Sequence, residues 1–212
     1  DPELERIADG AIEIVCDAQQ PDGYLDTFYI INDISKRFTN LRDHHELYCL
    51  GHLIEGAVSY YQATGKDRLL RAAGRYAECV AEHIGPEEGK LQGYPGHEIA
   101  EMALARLYEA TGQERYRELG AYFINERGRE PWYFDCENPS DGQKKGELRY
   151  QYYQAHLPVR EQTQAVGHAV RAAYLYSGMA DFARLTRDDE LKAACERIWD
   201  DITQRKMYIT GG

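Results

Sequence analysis

The sequence predicts an all-α protein built from repeated helical hairpins, and three observations support this prediction. Apolar side chains recur at the α-helical period over long stretches of the chain. The turn A-T-G-x-[DE]-R occurs at residues 63–68 and again at 110–115, 47 residues later. A Gly-His pair recurs in each of the three more apolar segments, at 51–52, 96–97 and 167–168. Helix pairs that repeat in this way form either an open solenoid or a closed ring of inner and outer helices.

The first hairpin follows an amphipathic helix that we expect over residues 3–19. Residues 43–63 predict an inner helix, which Asp43 is expected to cap while Glu46 completes a capping box. Gly65 is expected to end this helix in the left-handed conformation. Residues 67–83 predict an amphipathic outer helix. The apolar stripe of the inner helix over 43–63 comprises Leu47, Leu50, Ile54, Ala57, Val58 and Tyr61.

Two further hairpins repeat this arrangement. Residues 98–110 carry apolar side chains on more than one side, as an inner helix does, and 114–127 predict its outer partner. Residues 161–185 and 189–205 predict the third inner and outer pair. The pattern of buried helix, turn and amphipathic helix therefore occurs three times.

Long connections precede the inner helices, at residues 20–42, 85–96 and 130–160. Connections of this length usually carry function, and these three join the same kind of helix end. We therefore expect an acidic, aromatic-lined mouth over the inner-helix N-termini, which is typical of α/α barrels that act on carbohydrate. The aromatic residues in these connections are Tyr24, Phe28, Tyr29, Phe38, Tyr94, Trp132, Tyr133, Phe134, Tyr150, Tyr152 and Tyr153.

The number of hairpins sets the size of the predicted domain. A closed ring of this type needs about six hairpins, whereas this chain supplies three and one extra helix. Residues 1–212 are therefore predicted to be a truncated part of an (α/α)6 barrel. A non-catalytic helical repeat module that binds another protein is the alternative.

Composition excludes several classes of function. The 36 acidic and 25 basic side chains give a net charge of −11, which disfavours nucleic acid and anionic membrane surfaces as partners. No apolar stretch approaches the ~18 residues of a membrane helix. The five cysteines are scattered and contain no C-x-x-C pair, which predicts reduced thiols in a cytoplasmic compartment. Because the chain begins with Asp1, we expect that its true N-terminus is missing.

Three histidines are the candidate binding residues. His45, His97 and His168 lie near the starts of the three predicted inner helices, where imidazoles that converge could bind the hydroxyl groups of a sugar. The alternative for each is a buried histidine bonded to a neighbour. His52 is expected in a supporting layer or in the core, and Tyr174 is expected to serve packing.

No catalytic or metal residue is predicted within the chain. Glu46, Glu98, Glu101 and Glu161 lie near helix starts, where acidic side chains stabilise the helix dipole whether or not they catalyse. They therefore do not define the carboxylate pair of a glycosidase. The histidines and cysteines lack the spacing of a zinc site.

Several long motifs resemble glycoside hydrolase family 127, the β-L-arabinofuranosidase family. They are N-L-R-D-H-H-E-L-Y-C at 40–49, G-Y-P-G-H-E at 93–98 and A-H-L-P-V-R-E-Q at 155–162. The likeness extends from Q-Q-P-D-G-Y-L at 19–25 to M-Y-I-T-G-G at 207–212. It implies an (α/α)6-barrel catalytic domain followed by β-sandwich domains.

The resemblance also implies chemistry and sugar contacts. Family members remove terminal β-L-arabinofuranose with retention, using a zinc-bound cysteine thiolate and a separate glutamate, in motifs that this chain does not contain. Three sugar-binding histidines carry over to His45, His97 and His168 through H-E-L-Y, P-G-H-E and V-G-H-A-V-R. None of the five cysteines matches the nucleophile or a zinc ligand.

The combined prediction is a retaining, exo-acting glycosidase that removes terminal arabinofuranose from plant-type glycans. This chain would be its substrate-binding half and inactive alone, and zinc would belong to the rest of the protein. A sugar epimerase or another exo-glycosidase on the same barrel is the alternative enzyme, since fold does not fix the reaction. The sequence does not predict the oligomeric state.

Overall fold

The computed structural model describes residues 1–137 and 147–211. These residues form ten α-helices, and their only β pairing is an isolated bridge between Ile84 and Leu91. The all-α prediction is therefore confirmed for this part of the chain. The helices are α1 (Pro2–Asp17), α2 (Thr27–Asn32), α3 (Glu46–Thr64), α4 (Arg68–His83), α5 (Ala100–Thr111), α6 (Glu114–Glu126), α7 (Tyr133–Glu137), α8 (Glu147–Tyr152), α9 (Ala169–Thr186) and α10 (Asp189–Asp201).

The long helices form two layers. The inner layer is α3, α5 and α9, in which α5 packs between the other two. Each inner helix packs against the next long helix in the chain, so that α4, α6 and α10 form the outer layer, and α1 packs on α4. This arrangement is part of an α/α barrel, as the sequence predicts. None of the described helices is both long and apolar enough to cross a membrane.

Glycines allow the inner helices to approach closely. A Cβ atom on Gly51 of α3 would lie 2.5 Å from the Ile99 side chain, and one on Gly178 of α9 would lie 3.0 Å from the backbone of Met102 in α5. Side chains at these two positions would push the helices apart. Helix α1 lies outside these two layers and is less well covered than the other long helices, because its Leu4, Ile7 and Ile14 side chains are exposed to solvent.

The three hairpin turns share one geometry. Gly65 and Gly112 take left-handed φ angles of 74° and 71°, and the preceding threonines bond to carbonyl groups four residues back. Thr186 makes the same bond to Phe182 at 2.7 Å. Here the left-handed residue is Arg187, with φ 55°. The third turn therefore keeps the repeat geometry without its glycine.

Helix α3 begins at Glu46, three residues later than predicted, and the expected capping box is wrong. Asp43 pairs with Arg42 at 2.6 Å, and the residue at the cap position is His45, whose side chain makes no capping bond. Glu46 does not reach back to the helix start, because its carboxylate accepts the backbone N–H of Phe38 at 3.0 Å.

Helix α9 begins at residue 169, not 161, because side-chain amides hold the preceding segment in an irregular conformation. Gln162 donates to the carbonyl groups of Gln154 and Leu157 at 2.8 and 3.0 Å. The Gln154 amide donates to Val166 at 2.7 Å. These bonds place His168 at the N-cap of α9. The outer helix expected over 189–205 ends at 201 and continues as a π turn over Ile202–Lys206.

Most aromatic residues of the long connections are buried, which corrects the predicted aromatic mouth. Tyr24 packs edge-on against Phe38 with ring centroids 5.4 Å apart, and Trp132 stacks on Tyr150 at 4.3 Å. These rings cover the helix ends as hydrophobic core. Residues 138–146 of the third connection lie outside the described part. The buried members are Tyr24, Tyr29, Phe38, Tyr94, Tyr133, Phe134 and Tyr150.

Candidate functional site

Three histidine rings form a row at one end of the inner layer. His45 and His168 are the N-cap residues of α3 and α9, and His97 lies just before α5. The ring centroid of His97 is 5.9 Å from that of His45 and 6.0 Å from that of His168. All three side chains are at least partly exposed, so they are not three separate core residues. The structure therefore brings together the residues that the sequence selects.

His97, at the centre of this histidine row, is held neutral. Its Nδ1 donates to the carbonyl oxygen of Glu98 at 2.9 Å, which leaves Nε2 as an acceptor. Partial burial lowers the pKa of His97 to about 4, and the nearby charge of Arg171 acts in the same direction. At neutral pH this imidazole can accept a hydrogen bond from a hydroxyl group.

His168 presents the opposite polarity. Its Nδ1 accepts the backbone N–H of Arg171 at 3.5 Å, in the manner of a helix cap. In a neutral imidazole with this bond, Nε2 carries the proton and donates. Neighbouring acceptor and donor groups suit sugar hydroxyls, each of which both donates and accepts hydrogen bonds.

Two tyrosines from the inner helices join the row, and the sequence interpretation missed both. The Tyr48 ring lies 4.4 Å from His97 and 5.6 Å from His45, and the Tyr174 ring lies 6.2 Å from His97. Tyr174 therefore contacts the site and is not only a packing residue. Tyr48 follows His45 by three residues on the same helix face, a spacing that could have identified it. His52 is exposed and packs against Tyr48 at 4.5 Å, so it is not in the core.

Tyr152 and Arg171 form the flank beside His168. The Tyr152 ring is 5.5 Å from the His168 ring and is 44% exposed. The Arg171 guanidinium lies 5.0 Å from the centre of the Tyr152 ring and 4.9 Å from that of Tyr153. Arg171 is almost completely buried, and its guanidinium donates to the carbonyl oxygen of Gly96. This arginine connects α9 with the segment that carries His97.

Three of the four glutamates considered above are buried, so they do not serve as exposed helix-dipole partners. Glu46 accepts a hydrogen bond from Tyr24, and burial raises its pKa to about 7. Glu98 and Glu101 are fully buried and each lies 3.0 Å from Arg127. Burial also raises the pKa of Glu98. Only Glu161 is exposed.

The described residues do not fit a zinc site. In residues 1–137 and 147–211, no group of three or more His, Cys, Asp or Glu side chains is arranged to hold a metal ion. All five cysteines are free and lie on separate elements, with Cys49 and Cys136 exposed. We therefore assign none of these side chains to a metal centre.

Two helical layers with a polar row at the inner-helix N-termini are the arrangement of part of an α/α barrel. The whole of residues 1–212 matches the family described as "Beta-L-arabinofuranosidase, GH127 catalytic domain". The chain belongs to glycoside hydrolase family 127, as its motifs suggest.

Named relatives agree with this assignment. The non-reducing end β-L-arabinofuranosidase of Bifidobacterium longum is 42% identical over 220 residues, which cover 100% of this chain and 33% of that protein. The crystal structure of a GH127 β-L-arabinofuranosidase from Geobacillus stearothermophilus T6 superposes with a TM-score of 0.95 at 53% identity, covering 100% of this chain and 34% of the other. A second GH127 β-arabinofuranosidase structure superposes with a TM-score of 0.86 at 44% identity, covering 100% of this chain and 32% of the other. The chain thus spans about a third of the length of these relatives.

Proposed function

We propose that these residues belong to a retaining, exo-acting β-L-arabinofuranosidase that removes terminal arabinofuranose from plant-type glycans. The observation that carries the proposal is the histidine row, in which His97 offers an acceptor and His168 a donor to adjacent hydroxyl groups. The named activity of relatives at 42% and 53% identity supports the choice of sugar. His45, His97 and His168 are the proposed sugar-binding residues.

The chemical step is assigned to parts of the protein other than residues 1–212. We propose that the remaining hairpins of the (α/α)6 barrel, any C-terminal β-sandwich domains and the bound zinc lie there. The chain alone would then bind the terminal sugar without hydrolysing it. A cytoplasmic location is supported by the five free cysteines, and the net charge of −11 argues against nucleic acid as a partner.

An aryl β-L-arabinofuranoside tests the activity. Full-length protein should release the aryl group, and residues 1–212 alone should not. Turnover by the chain alone would overturn its assignment as an inactive half, and no turnover by full-length protein would overturn the glycosidase. An epimerase that acts on the open-chain form of a free sugar would leave the aryl glycoside unchanged, so release of the aryl group separates the two reactions.

Alanine substitutions test the three histidines in the full-length protein. Replacing His45, His97 or His168 should raise KM for the aryl glycoside about 5- to 100-fold, because each change removes a hydrogen bond to the sugar. His83→Ala is the matched control, since His83 bonds to the Cys79 carbonyl at 2.7 Å on an outer helix. Equal effects at all four positions would contradict the assignment.

A further inference from the structure

The turn that carries His97 is held through its backbone carbonyl groups. Arg127 donates to the Pro95 oxygen at 2.7 Å, and Arg171 donates to the oxygen of Gly96. The His97 ring itself donates to the carbonyl oxygen of Glu98. The backbone N–H of Gly96 is also bonded, to the carbonyl of residue 41 at 3.0 Å. Two guanidinium groups therefore hold successive carbonyl groups immediately before a site histidine.

Arg127 is held by two carboxylates, two carbonyl groups and an aromatic ring. It lies at the C-cap of α6, is fully buried, and pairs with Glu98 and Glu101 at 3.0 Å each. It also donates to the Tyr153 carbonyl at 2.9 Å and lies 4.9 Å from the centre of the Tyr94 ring. A buried charge with these partners has little freedom to move, because shifting it away from the two carboxylates and the two carbonyl groups would leave a guanidinium uncompensated in the interior.

Arg171 joins the same turn to a second site histidine. It lies three residues after His168 in α9, and its backbone N–H bonds to that histidine's Nδ1. Its guanidinium lies over Tyr152 and Tyr153, the second of which also binds Arg127 through its carbonyl oxygen. Residue 153 is therefore shared by both arginines, which reach the His97 turn from two different helices.

We propose that Arg127 and Arg171 are positioning residues that set the place of His97 relative to His45 and His168. Together they form a two-arginine clamp on the 95–98 turn, and they act on the sugar only through His97. This inference rests on the proposed function, because it assumes that His97 binds the substrate. A planar guanidinium suits the role better than an ammonium group, since it can stack on rings and donate in fixed directions.

The test measures KM and kcat of the full-length enzyme with Arg171→Gln, Arg171→Lys and Arg127→Lys. A displaced His97 weakens contacts made both before and during the reaction, so KM should rise about tenfold while kcat changes less than about threefold. Lysine should not restore the wild-type KM. Arg160→Gln is the matched control, because Arg160 pairs with Asp188 at 2.6 Å on the outer layer. Its KM should stay at the wild-type value.

A double-mutant cycle decides whether the clamp acts through His97. In the His97→Ala background, Arg171→Gln should add less than about a twofold increase in KM, because the group that it positions is already absent. Independent, multiplying effects would overturn the proposal, as would a wild-type KM in the single Arg171 variants. A wild-type KM for His97→Ala alone would instead overturn the proposed function. Far-ultraviolet circular dichroism confirms that each variant is folded, and the Arg171 variants decide the outcome if Arg127→Lys does not fold.

Discussion

Replacing Glu46 by glutamine should change how the stability of the chain depends on pH. Glu46 is 1% exposed, and its carboxylate accepts the Tyr24 hydroxyl at 2.5 Å and the Phe38 N–H at 3.0 Å. Burial raises its pKa from 4.5 to about 7, against the opposing effect of these two hydrogen bonds. The folded protein therefore keeps the Glu46 proton over a pH range in which the unfolded chain has lost it.

The sign and size of the effect follow from proton linkage. Between pH 4.5 and 7 the folded state binds more protons than the unfolded state, so the free energy of unfolding falls as pH rises. At about 1.4 kcal/mol per pH unit, this interval corresponds to a loss of about 3 kcal/mol. Glutamine is neutral throughout and can still accept the Tyr24 hydroxyl. We expect the two proteins to be about equally stable near pH 4.5, and Glu46→Gln to be more stable by about 3 kcal/mol at pH 8.

Urea unfolding at pH 4.5, 6, 7 and 8 measures this difference. Glu13→Gln on the exposed face of α1 is the matched control for loss of one negative charge, and its difference from wild type should stay within about 0.5 kcal/mol. A difference between Glu46→Gln and wild type that stays constant with pH would refute the reasoning.

Further substitutions test the packing, the third turn and the site. Gly51→Ala should lower the free energy of unfolding by about 1–3 kcal/mol, because its Cβ would meet α5, whereas Gly56→Ala in the same helix meets nothing within 4 Å and should raise it by about 0.5–1 kcal/mol. Urea unfolding gives both values, and a change of the same sign in the free energy of unfolding for the two variants would contradict the packing argument. Arg187→Gly should stabilise the chain by about 0.5 kcal/mol by removing a left-handed arginine, and destabilisation in the same assay would contradict this. Tyr48→Ala should raise KM in the full-length enzyme about tenfold by freeing the His97 ring, and an unchanged KM would exclude Tyr48 from the site.

The hairpin architecture could be predicted because its signals are local. The turns at Gly65 and Gly112 follow from glycine's access to the left-handed region, and the helices follow from their apolar period. The left-handed residue of the third turn could not be predicted in this way, because Arg187 takes the conformation that glycine takes in the other two turns. Its geometry is imposed by the packing of α9 against α10, which sequence spacing does not show.

The candidate site was predicted in part. The row of His45, His97 and His168 could be anticipated because inner-helix starts meet at one end of a barrel. The buried state of Glu46 could not, because its partner Phe38 lies in a connection whose fold depends on tertiary contacts. For the same reason the connection aromatics were expected at the surface although most of them complete the core.

The low pKa of His97 has consequences for the choice of sugar and for the pH dependence of binding. An imidazole that stays uncharged above about pH 5 offers no electrostatic attraction to a uronic acid, so this ring gives an acidic sugar no advantage over a neutral one. The proposed sugar contact through its Nε2 would therefore be constant from mildly acidic to alkaline solution. Any bell-shaped activity profile in that interval would report the ionisation of other groups.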